Sequence, residues 1–217
     1  MKLVARLPER FVPLELLGQG ASGVVYAVFD RDRGEQLALK ILHRATGLSL
    51  ARFKKEFRGI ADVSHENLVI LHELFCDGDL WFFTMEWVRG APFLEQQPAA
   101  PVSGARLARA GLRDRFIQLS RGIRALHQVG RIHRDLKPAN VLVEEGGRVV
   151  VLDFGLVSEL RDGRASRGGE GLVVGTPAYL APEQLTDREL SAACDWYAFG
   201  CLLYEALTGA PPWAGAT

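Results

Sequence analysis

Two short segments in the second half of the sequence combine acidic, basic and amide side chains. The first runs from His133 to Asn140 and reads His-Arg-Asp-Leu-Lys-Pro-Ala-Asn, and the second, Asp153-Phe154-Gly155, begins thirteen residues after Asn140. Carboxylate and amide oxygens suit Mg²⁺, and a lysine can neutralise charge on phosphate oxygens. A further carboxylate can orient a hydroxyl group and accept its proton. The spacing therefore indicates chemistry on a metal-bound triphosphate.

A glycine-rich segment from Gly18 to Val25 lies near the N terminus. Glycine lets a backbone approach phosphate oxygens closely, because it has no Cβ atom and can adopt positive φ. Taken alone, the pattern fits a hairpin without a ligand at least as well. A dinucleotide-binding fold would place a helix after the third glycine, whereas Val24 to Phe29 has the composition of a strand. The Rossmann interpretation therefore fails.

Lys40 lies within an apolar strand sequence, Leu37 to Leu42. An unpaired ammonium group would be costly to bury there. Glu56, sixteen residues later on a predicted helix, offers the compensating charge. The alternative is a strand lysine whose ammonium group reaches solvent.

The elements that must position these side chains divide the chain near residue 88. The first part alternates apolar runs with turns, which predicts a small antiparallel sheet with strands at residues 24–30, 36–42, 68–75 and 80–87. One helix interrupts it, because Phe53, Phe57 and Ile60 recur at helical spacing.

The second part is predicted to be mainly helical. Its first helix carries an apolar stripe from Leu112 and ends near Gly130. Residues 91–111, rich in Ala, Pro and Arg, are predicted to form a surface loop or an irregular helix, and residues 149–152 a strand. We therefore expect an α+β fold of two lobes joined by a hinge.

The composition excludes several classes of protein. The 217 residues include 26 basic and 26 acidic ones, so charge gives no reason to expect binding to nucleic acid or to a membrane surface. No apolar run approaches the roughly 18 residues of a spanning helix, and the N terminus lacks a signal peptide pattern. Cys76, Cys194 and Cys201 fit neither a disulfide framework nor a zinc site. We expect a soluble, cytoplasmic chain.

Taken in order, the segments resemble the eukaryotic-type (Hanks-type) serine/threonine protein kinase family, and the spelling resembles its bacterial members. The resemblance runs from about Phe11 to the last residue, and Lys137 together with residues 175–179 favours the serine/threonine branch over tyrosine kinases. It rests on the segments 18–25, 37–40, 133–140, 153–155 and 175–183.

The resemblance also implies a domain organisation. Residues 1–10 would be an N-terminal extension, residues 11–88 a small antiparallel β-sheet lobe with one helix and a hinge near 86–88, and residues 89–217 a partial, mainly helical lobe. The catalytic loop would span residues 133–140 and the activation segment residues 153–183.

The implied activity is transfer of the γ-phosphoryl group of Mg-ATP to serine or threonine hydroxyls of proteins. Asp135 would be the catalytic base and Lys137 would neutralise charge on the transferred group, while His133 would be structural. Lys40, paired with Glu56, would contact the α- and β-phosphates. The implied magnesium ligands are Asn140 and Asp153.

The nucleotide would lie between the two lobes. Met85 would be the gatekeeper behind the adenine pocket, and the backbone of Glu86 to Val88 would hydrogen-bond the adenine edge. An ordinary edge strand with Met85 in the core explains that methionine equally well. The implied nucleotide-binding residues are Leu17, Gly18, Gln19, Gly20, Ala21, Ser22, Gly23, Val24, Val25, Ala38, Lys40, Met85, Glu86, Val88 and Leu142.

Regulation is also implied by the resemblance. In this family an arginine beside the catalytic aspartate, here Arg134, often marks control by phosphorylation of the activation segment. Ser158 and Ser166 are the hydroxyls available between residues 156 and 175, and Ser166 is the favoured site of autophosphorylation. A solvated basic loop is the alternative for the arginines around Ser166.

Residues 195–205 resemble the central helix of the large lobe, and the chain ends soon afterwards. In the family, a later helix supplies an arginine that pairs with the glutamate equivalent to Glu183. An uncompensated buried charge costs about 3–5 kcal/mol, against a domain stability of about 5–15 kcal/mol. We therefore expect a truncated chain of marginal stability.

Two other functions remain open. Truncation makes a non-catalytic, pseudokinase-like binding module plausible, although the chemical residue set is intact. A small-molecule phosphotransferase of similar fold is disfavoured by residues 175–183, which in the family shape a peptide-binding surface.

Overall fold

The computed structural model describes residues 7–20, 23–42, 47–78, 80–95, 105–154, 177–185 and 190–213. Three α-helices are present in these ranges: α1 (Gly47–Ala61), α2 (Ala105–Gln128) and α3 (Ala193–Thr208). Short 3-10 turns occupy Pro138–Asn140, Pro177–Tyr179 and Pro182–Leu185. The strands are β1 (Phe11–Gly20), β2 (Gly23–Asp30), β3 (Glu35–Leu42), β4 (Leu71–Asp77), β5 (Leu80–Met85), β6 (Gly90–Pro92), β7 (Val141–Glu144) and β8 (Val149–Val151).

The first five strands form one antiparallel sheet in the order β1-β2-β3-β5-β4. Alternating side chains face opposite sides of a sheet. The side chains on one face of this sheet pack against α1 in a shared core. Phe53, Phe57 and Ile60 of α1 are all buried there, as their spacing predicts. The opposite set forms a smaller cluster that includes Phe11 and Phe82, whose rings meet edge to face at 5.7 Å. The sheet is therefore apolar on both faces.

The second unit combines α2 and α3 with the three-stranded sheet β6-β7-β8. The predicted stripe on α2 is real, because Phe116, Leu119, Ile123 and Leu126 are buried. The ring of Phe116 meets Phe199 of α3 edge to face at 5.3 Å, so the two helices share one core.

The connection between α1 and β4 is hydrogen-bonded to the second unit. The amide of Val69 donates to the carbonyl of Val151, and the amide of Val151 donates to the carbonyl of Asn67; both distances are 3.0 Å. The Asn67 side-chain amide donates to the carbonyl of Val149 at 2.8 Å. Gly122 of α2 lies against this connection, where a Cβ atom would be 2.8 Å from the Asn67 carbonyl oxygen. These contacts join the two units.

Some predicted boundaries need correction. The strands predicted at 24–30 and 36–42 are present as β2 and β3, but the one predicted from residue 68 begins at Leu71, because residues 67–69 bond to Val151 instead. The strand predicted to end at residue 87 ends at Met85. Residues 91–111 were predicted to form a surface loop or an irregular helix; β6 instead reaches Pro92 at one end, and the regular helix α2 begins at Ala105 at the other. These ends were misplaced because strand pairing between distant segments and the arginine-rich start of α2 leave little pattern in the local sequence.

Among the described residues, none of the helices combines the length and apolar character needed to cross a membrane.

Candidate active site

Asp195 organises the loop between α2 and β7 from the first turn of α3. Its side chain is 1% exposed, and its two carboxylate oxygens accept the backbone amides of His133 and Arg134, each at 2.8 Å. His127, near the end of α2, contacts the same carboxylate at 2.7 Å. Burial alone would raise the pKa of Asp195, but these hydrogen bonds and nearby histidines lower it below its ordinary value. The role of Asp195 could not be predicted from the sequence, where the only signal is an acidic residue at the start of an apolar helix.

Two residues of the site have backbone conformations that are uncommon outside glycine. Arg134 has φ 68° and Asp153 has φ 54°. Such conformations cost on the order of 1–3 kcal/mol each and persist where surrounding contacts determine them. The hydrogen bond from the Arg134 amide to Asp195 is one of the contacts that hold Arg134 in this conformation.

The ring of His133 connects the loop between α2 and β7 to the segment that follows β8. Its Nδ1 accepts the amide of Asp135 at 3.3 Å, so Nε2 carries the proton that bonds to the carbonyl of Leu152 at 2.9 Å. The ring is buried and both nitrogens are engaged by backbone. This geometry agrees with the predicted structural role of His133.

Three polar side chains of the predicted catalytic loop lie together. The ammonium group of Lys137 lies 2.7 Å from Oδ2 of Asp135. The side-chain amide of Asn140 donates to Oδ2 of Asp135 at 3.1 Å and to its backbone carbonyl at 2.7 Å. The contacts that described residues make with the Asp135 carboxylate therefore fall on one oxygen.

Lys40 on β3 and Asp153 after β8 form an ion pair between the two units. Lys40 Nζ lies 2.5 Å from Oδ2 of Asp153, and the Lys40 side chain is 2% exposed. Asn140 is close in the fold, because its carbonyl accepts the amide of Leu152 at 2.8 Å. Glu56 belongs to α1, but its side chain lies outside the described residues, so the Lys40–Glu56 pair stays a prediction.

The predicted nucleotide-binding residues of β1, β2 and β3 are brought together by strand register. Gly18 lies opposite Val25, which in turn lies opposite Lys40. Ala38 pairs with Met85 at the end of β5, and both are buried. Ala21 and Ser22 lie outside the described residues. The other predicted nucleotide-binding residues of these strands are Leu17, Gln19 and Gly20 on β1, and Gly23 and Val24 on β2.

The segment after β5 has one backbone amide already in use. The amide of Glu86 donates to the carbonyl of Ile70 at 2.8 Å. Only the carbonyl of Glu86 and groups further along the segment, such as buried Val88, could serve an adenine edge. Leu142 lies on β7, which pairs with β6 directly after this segment.

Arg148 was missed by the sequence analysis. It lies in the turn between β7 and β8 and donates to both Glu86 oxygens, at 2.5 and 3.2 Å, and to the carbonyl of Glu66 at 2.8 Å. Burial would raise the pKa of Glu86, but Arg148 lowers it below its ordinary value. Because 62 residues separate the partners, no local pattern could have revealed the pair.

The end of the predicted activation segment is anchored on α3. The hydroxyl of Tyr179 donates to Glu205, and burial together with that carboxylate raises the pKa of Tyr179. Residues 155–176 lie outside the described part, and with them the predicted sites Ser158 and Ser166. Glu183 is half-buried and takes part in an interaction, so the expectation that it lacks a partner is wrong.

In the described ranges, no group of three or more His, Cys, Asp or Glu side chains could hold a metal ion by itself. The predicted pair of Asn140 and Asp153 offers one amide and one carboxylate. Magnesium often has so few protein ligands and completes its shell with phosphates and water.

Known proteins resemble this chain over most of its length. The protein kinase domain family matches residues 11–217. The DNA damage-responsive serine/threonine-protein kinase RqkA of Deinococcus radiodurans is 36% identical over 212 residues, which cover 96% of this chain and 31% of that protein. Serine/threonine-protein kinase PknL of Mycobacterium tuberculosis is 32% identical over 218 residues, which cover 97% of this chain and 52% of PknL.

Among solved structures, the crystal structure of Rad53 1-466 in complex with AMP-PNP matches with a TM-score of 0.75 and 30% identity, over 96% of this chain and 51% of that one. The chain thus spans about a third to a half of the length of these proteins. The predicted two-lobed α+β fold and the predicted family are confirmed. The chain belongs to the protein kinase domain family and is similar to its bacterial, Hanks-type serine/threonine members.

Proposed function

We propose that this chain is an ATP-dependent serine/threonine protein kinase, which transfers the γ-phosphoryl group of ATP to serine or threonine hydroxyls of proteins. The observation that carries the proposal is the grouping of Asp135, Lys137 and Asn140 beside the Lys40–Asp153 pair. RqkA and PknL are named serine/threonine kinases, and the Rad53 structure holds an ATP analogue. Both facts support ATP as the phosphoryl donor.

Asp135 is the proposed catalytic base. The substrate hydroxyl oxygen attacks the γ-phosphorus, its proton passes to the Asp135 carboxylate, and the bond from the γ-phosphorus to the bridging oxygen breaks to leave ADP. Lys137 and Asn140 both contact Oδ2 of Asp135, so Oδ1 is the oxygen proposed to accept the hydroxyl proton. Lys137 also supplies positive charge near the transferred group.

The nucleotide is proposed to bind in the cleft between the lobes. Lys40 would contact the α- and β-phosphates, helped by Glu56, and the glycine-rich residues 18–25 would cover the phosphates. Met85, Ala38 and Leu142 would surround the adenine; the Glu86 carbonyl would accept a hydrogen bond from the adenine edge and the Val88 amide would donate one to it.

Asn140 and Asp153 would hold the magnesium ion. Their side chains offer the oxygen ligands that Mg²⁺ prefers, and the hydrogen bond from Leu152 to Asn140 places the two residues at neighbouring ends of one hairpin. Bound there, the ion would neutralise charge on the phosphate oxygens. Ser166 as an autophosphorylation site, the domain boundaries and a cytoplasmic location stay predictions from the sequence.

The test is transfer of labelled γ-phosphate from Mg-ATP to the protein itself and to a generic basic protein. Asp135→Asn keeps the size of the side chain but removes the base, and we expect it to lower transfer by about 100- to 10,000-fold. Asp62→Asn, an exposed change outside the site, is the matched control.

Unchanged transfer in Asp135→Asn would contradict the role of Asp135. Nucleotide binding without any transfer by the unaltered protein would favour the pseudokinase-like binding module. Transfer to a small molecule but to no protein would favour the phosphotransferase alternative.

A further inference from the structure

The side-chain amide of Gln184 joins two segments of the active site. Its Oε1 accepts the backbone amide of Ala181 at 3.0 Å, and its Nε2 donates to the backbone carbonyl of Arg134 at 2.7 Å. A backbone N–H can only donate and a carbonyl can only accept, so these partners determine which end of the amide is which. Gln184 thus links the turn Pro182–Leu185 to the catalytic loop.

One half of this link is a helix cap. The amide of Gln184 donates to the carbonyl of Ala181 at 2.9 Å, and the side chain returns to the amide of Ala181. Pro182 occupies the first position of the turn and Gln184 the third, so Gln184 makes the glutamine half of a capping box, while Ala181 has no side-chain acceptor for the other half. A glutamate could make this half of the link equally well, since it only has to accept.

The other half acts on the peptide bond that precedes Asp135. At one end of this peptide, the amide of Asp135 donates to His133 Nδ1 at 3.3 Å. At the other end, the carbonyl of Arg134 receives the Gln184 donor. Arg134 itself has φ 68° and its amide is bound by Asp195. The peptide is therefore held at both ends, in a conformation that would relax if the contacts were lost.

The turn that carries Gln184 is itself anchored. In the same segment, the hydroxyl of Tyr179 donates to Glu205 of α3. Residues 177–185 thus contact α3 on one side and the catalytic loop on the other.

We propose that Gln184 is a positioning residue, which orients Asp135 through the carbonyl of Arg134. The geometry of the base then depends on how the end of the activation segment is seated on the large lobe. This inference rests on the proposed function for the role of Asp135, but the contact itself can be tested without activity.

Two variants separate positioning from capping. Gln184→Glu keeps the size and the capping acceptor, but it loses the donor to Arg134 and places a carboxylate against that carbonyl. Gln184→Met loses both halves. Gln128→Glu, at the exposed end of α2, is the matched control for the added charge.

A positioning role predicts that Gln184→Glu and Gln184→Met both lower kcat by about 10- to 100-fold, because displacement of about 1 Å is enough for such a loss. The KM for ATP should stay within about twofold, since the nucleotide contacts are elsewhere. Hydrogen exchange in residues 131–137 should be faster in Gln184→Glu than in the unaltered protein, with no change in β1 to β5. Gln128→Glu should change neither quantity.

A cap alone predicts a different result. If Gln184→Glu keeps both kcat and the exchange rates of residues 131–137, the inference is overturned. If the unaltered protein transfers no phosphate, the proposed function fails separately and exchange decides: faster exchange in Gln184→Glu supports the positioning contact, and unchanged exchange overturns it.

Discussion

Lys40 and Asp153 are 113 residues apart in the sequence, yet the Lys40 ammonium nitrogen lies 2.5 Å from a carboxylate oxygen of Asp153. The Lys40 side chain is 2% exposed and that of Asp153 is 25% exposed. The lysine charge therefore depends on nearby carboxylates, whereas the aspartate keeps some contact with water. The pair joins β3 of the sheet to the segment after β8, across the cleft proposed to hold ATP.

Substitution of Asp153 should lower the free energy of unfolding more than substitution of Lys40. Asp153→Asn keeps a residue type that tolerates positive φ, so it isolates the loss of charge. We expect it to lower the free energy of unfolding by about 2 kcal/mol, less than for a fully buried pair because Asp153 is partly exposed. Lys40→Met removes the buried charge itself and should cost no more than about 1 kcal/mol. Urea denaturation measures both values, and both variants should lose phosphate transfer.

Equal stability of Asp153→Asn and the unaltered protein would contradict this account. It would mean that another carboxylate compensates Lys40, with Glu56 as the first candidate to test by a second substitution.

Asp195→Asn should destabilise the catalytic loop. One carboxylate oxygen would become an NH₂ group facing a backbone amide, which leaves buried donors unsatisfied at a cost of about 2–4 kcal/mol. The pKa of Asp195 is lower in the folded protein than its ordinary value of about 3.9. Its contribution is therefore complete above that ordinary value and is lost as the pH falls through the lower, folded pKa.

The measurement is the free energy of unfolding from neutral pH down to about pH 2. The difference between the unaltered protein and Asp195→Asn should be largest at neutral pH and should shrink in acid. Asp114→Asn, on an exposed part of α2, is the control and should show no comparable loss. A difference that does not depend on pH would show that the charge of Asp195 is not what holds the loop.

Gly122→Ala should weaken the packing of α2 on the connection between α1 and β4. The new Cβ atom would lie 2.8 Å from the carbonyl oxygen of Asn67, a backbone atom that cannot move aside freely. We expect a loss of about 1–3 kcal/mol in the free energy of unfolding, as for overpacked cores.

Gly111→Ala provides the matched control within the same helix. A Cβ atom there would have nothing within 4 Å, so the substitution should stabilise the protein by about 0.5–1 kcal/mol through helix propensity alone. Thermal or urea unfolding compares the two. A stabilising Gly122→Ala would mean that α2 does not approach Asn67 as closely as described.

Much of the fold and the grouping of the candidate site residues could be predicted from the sequence. β2, β3 and the apolar faces of α1 and α2 follow from local periodicity, because alternation and helical spacing depend only on near neighbours. The grouping of Asp135, Lys137 and Asn140 was equally predictable, because all three lie within six consecutive residues of one loop. Element ends were less predictable, as the start of α2 at Ala105 illustrates.

Contacts between distant segments were decided only by the tertiary structure. Asp195 binds amides 61 and 62 residues away, Arg148 reaches Glu86 across 62, and Gln184 reaches Arg134 across 50. Each of these side chains is an ordinary polar residue in its local context, so no pattern marks it. The sequence determined which groups could do the chemistry. The packing of α3 and of the segment 177–185 against the catalytic loop determined how they are held, because a hydrogen bond depends on distance in space and not along the chain.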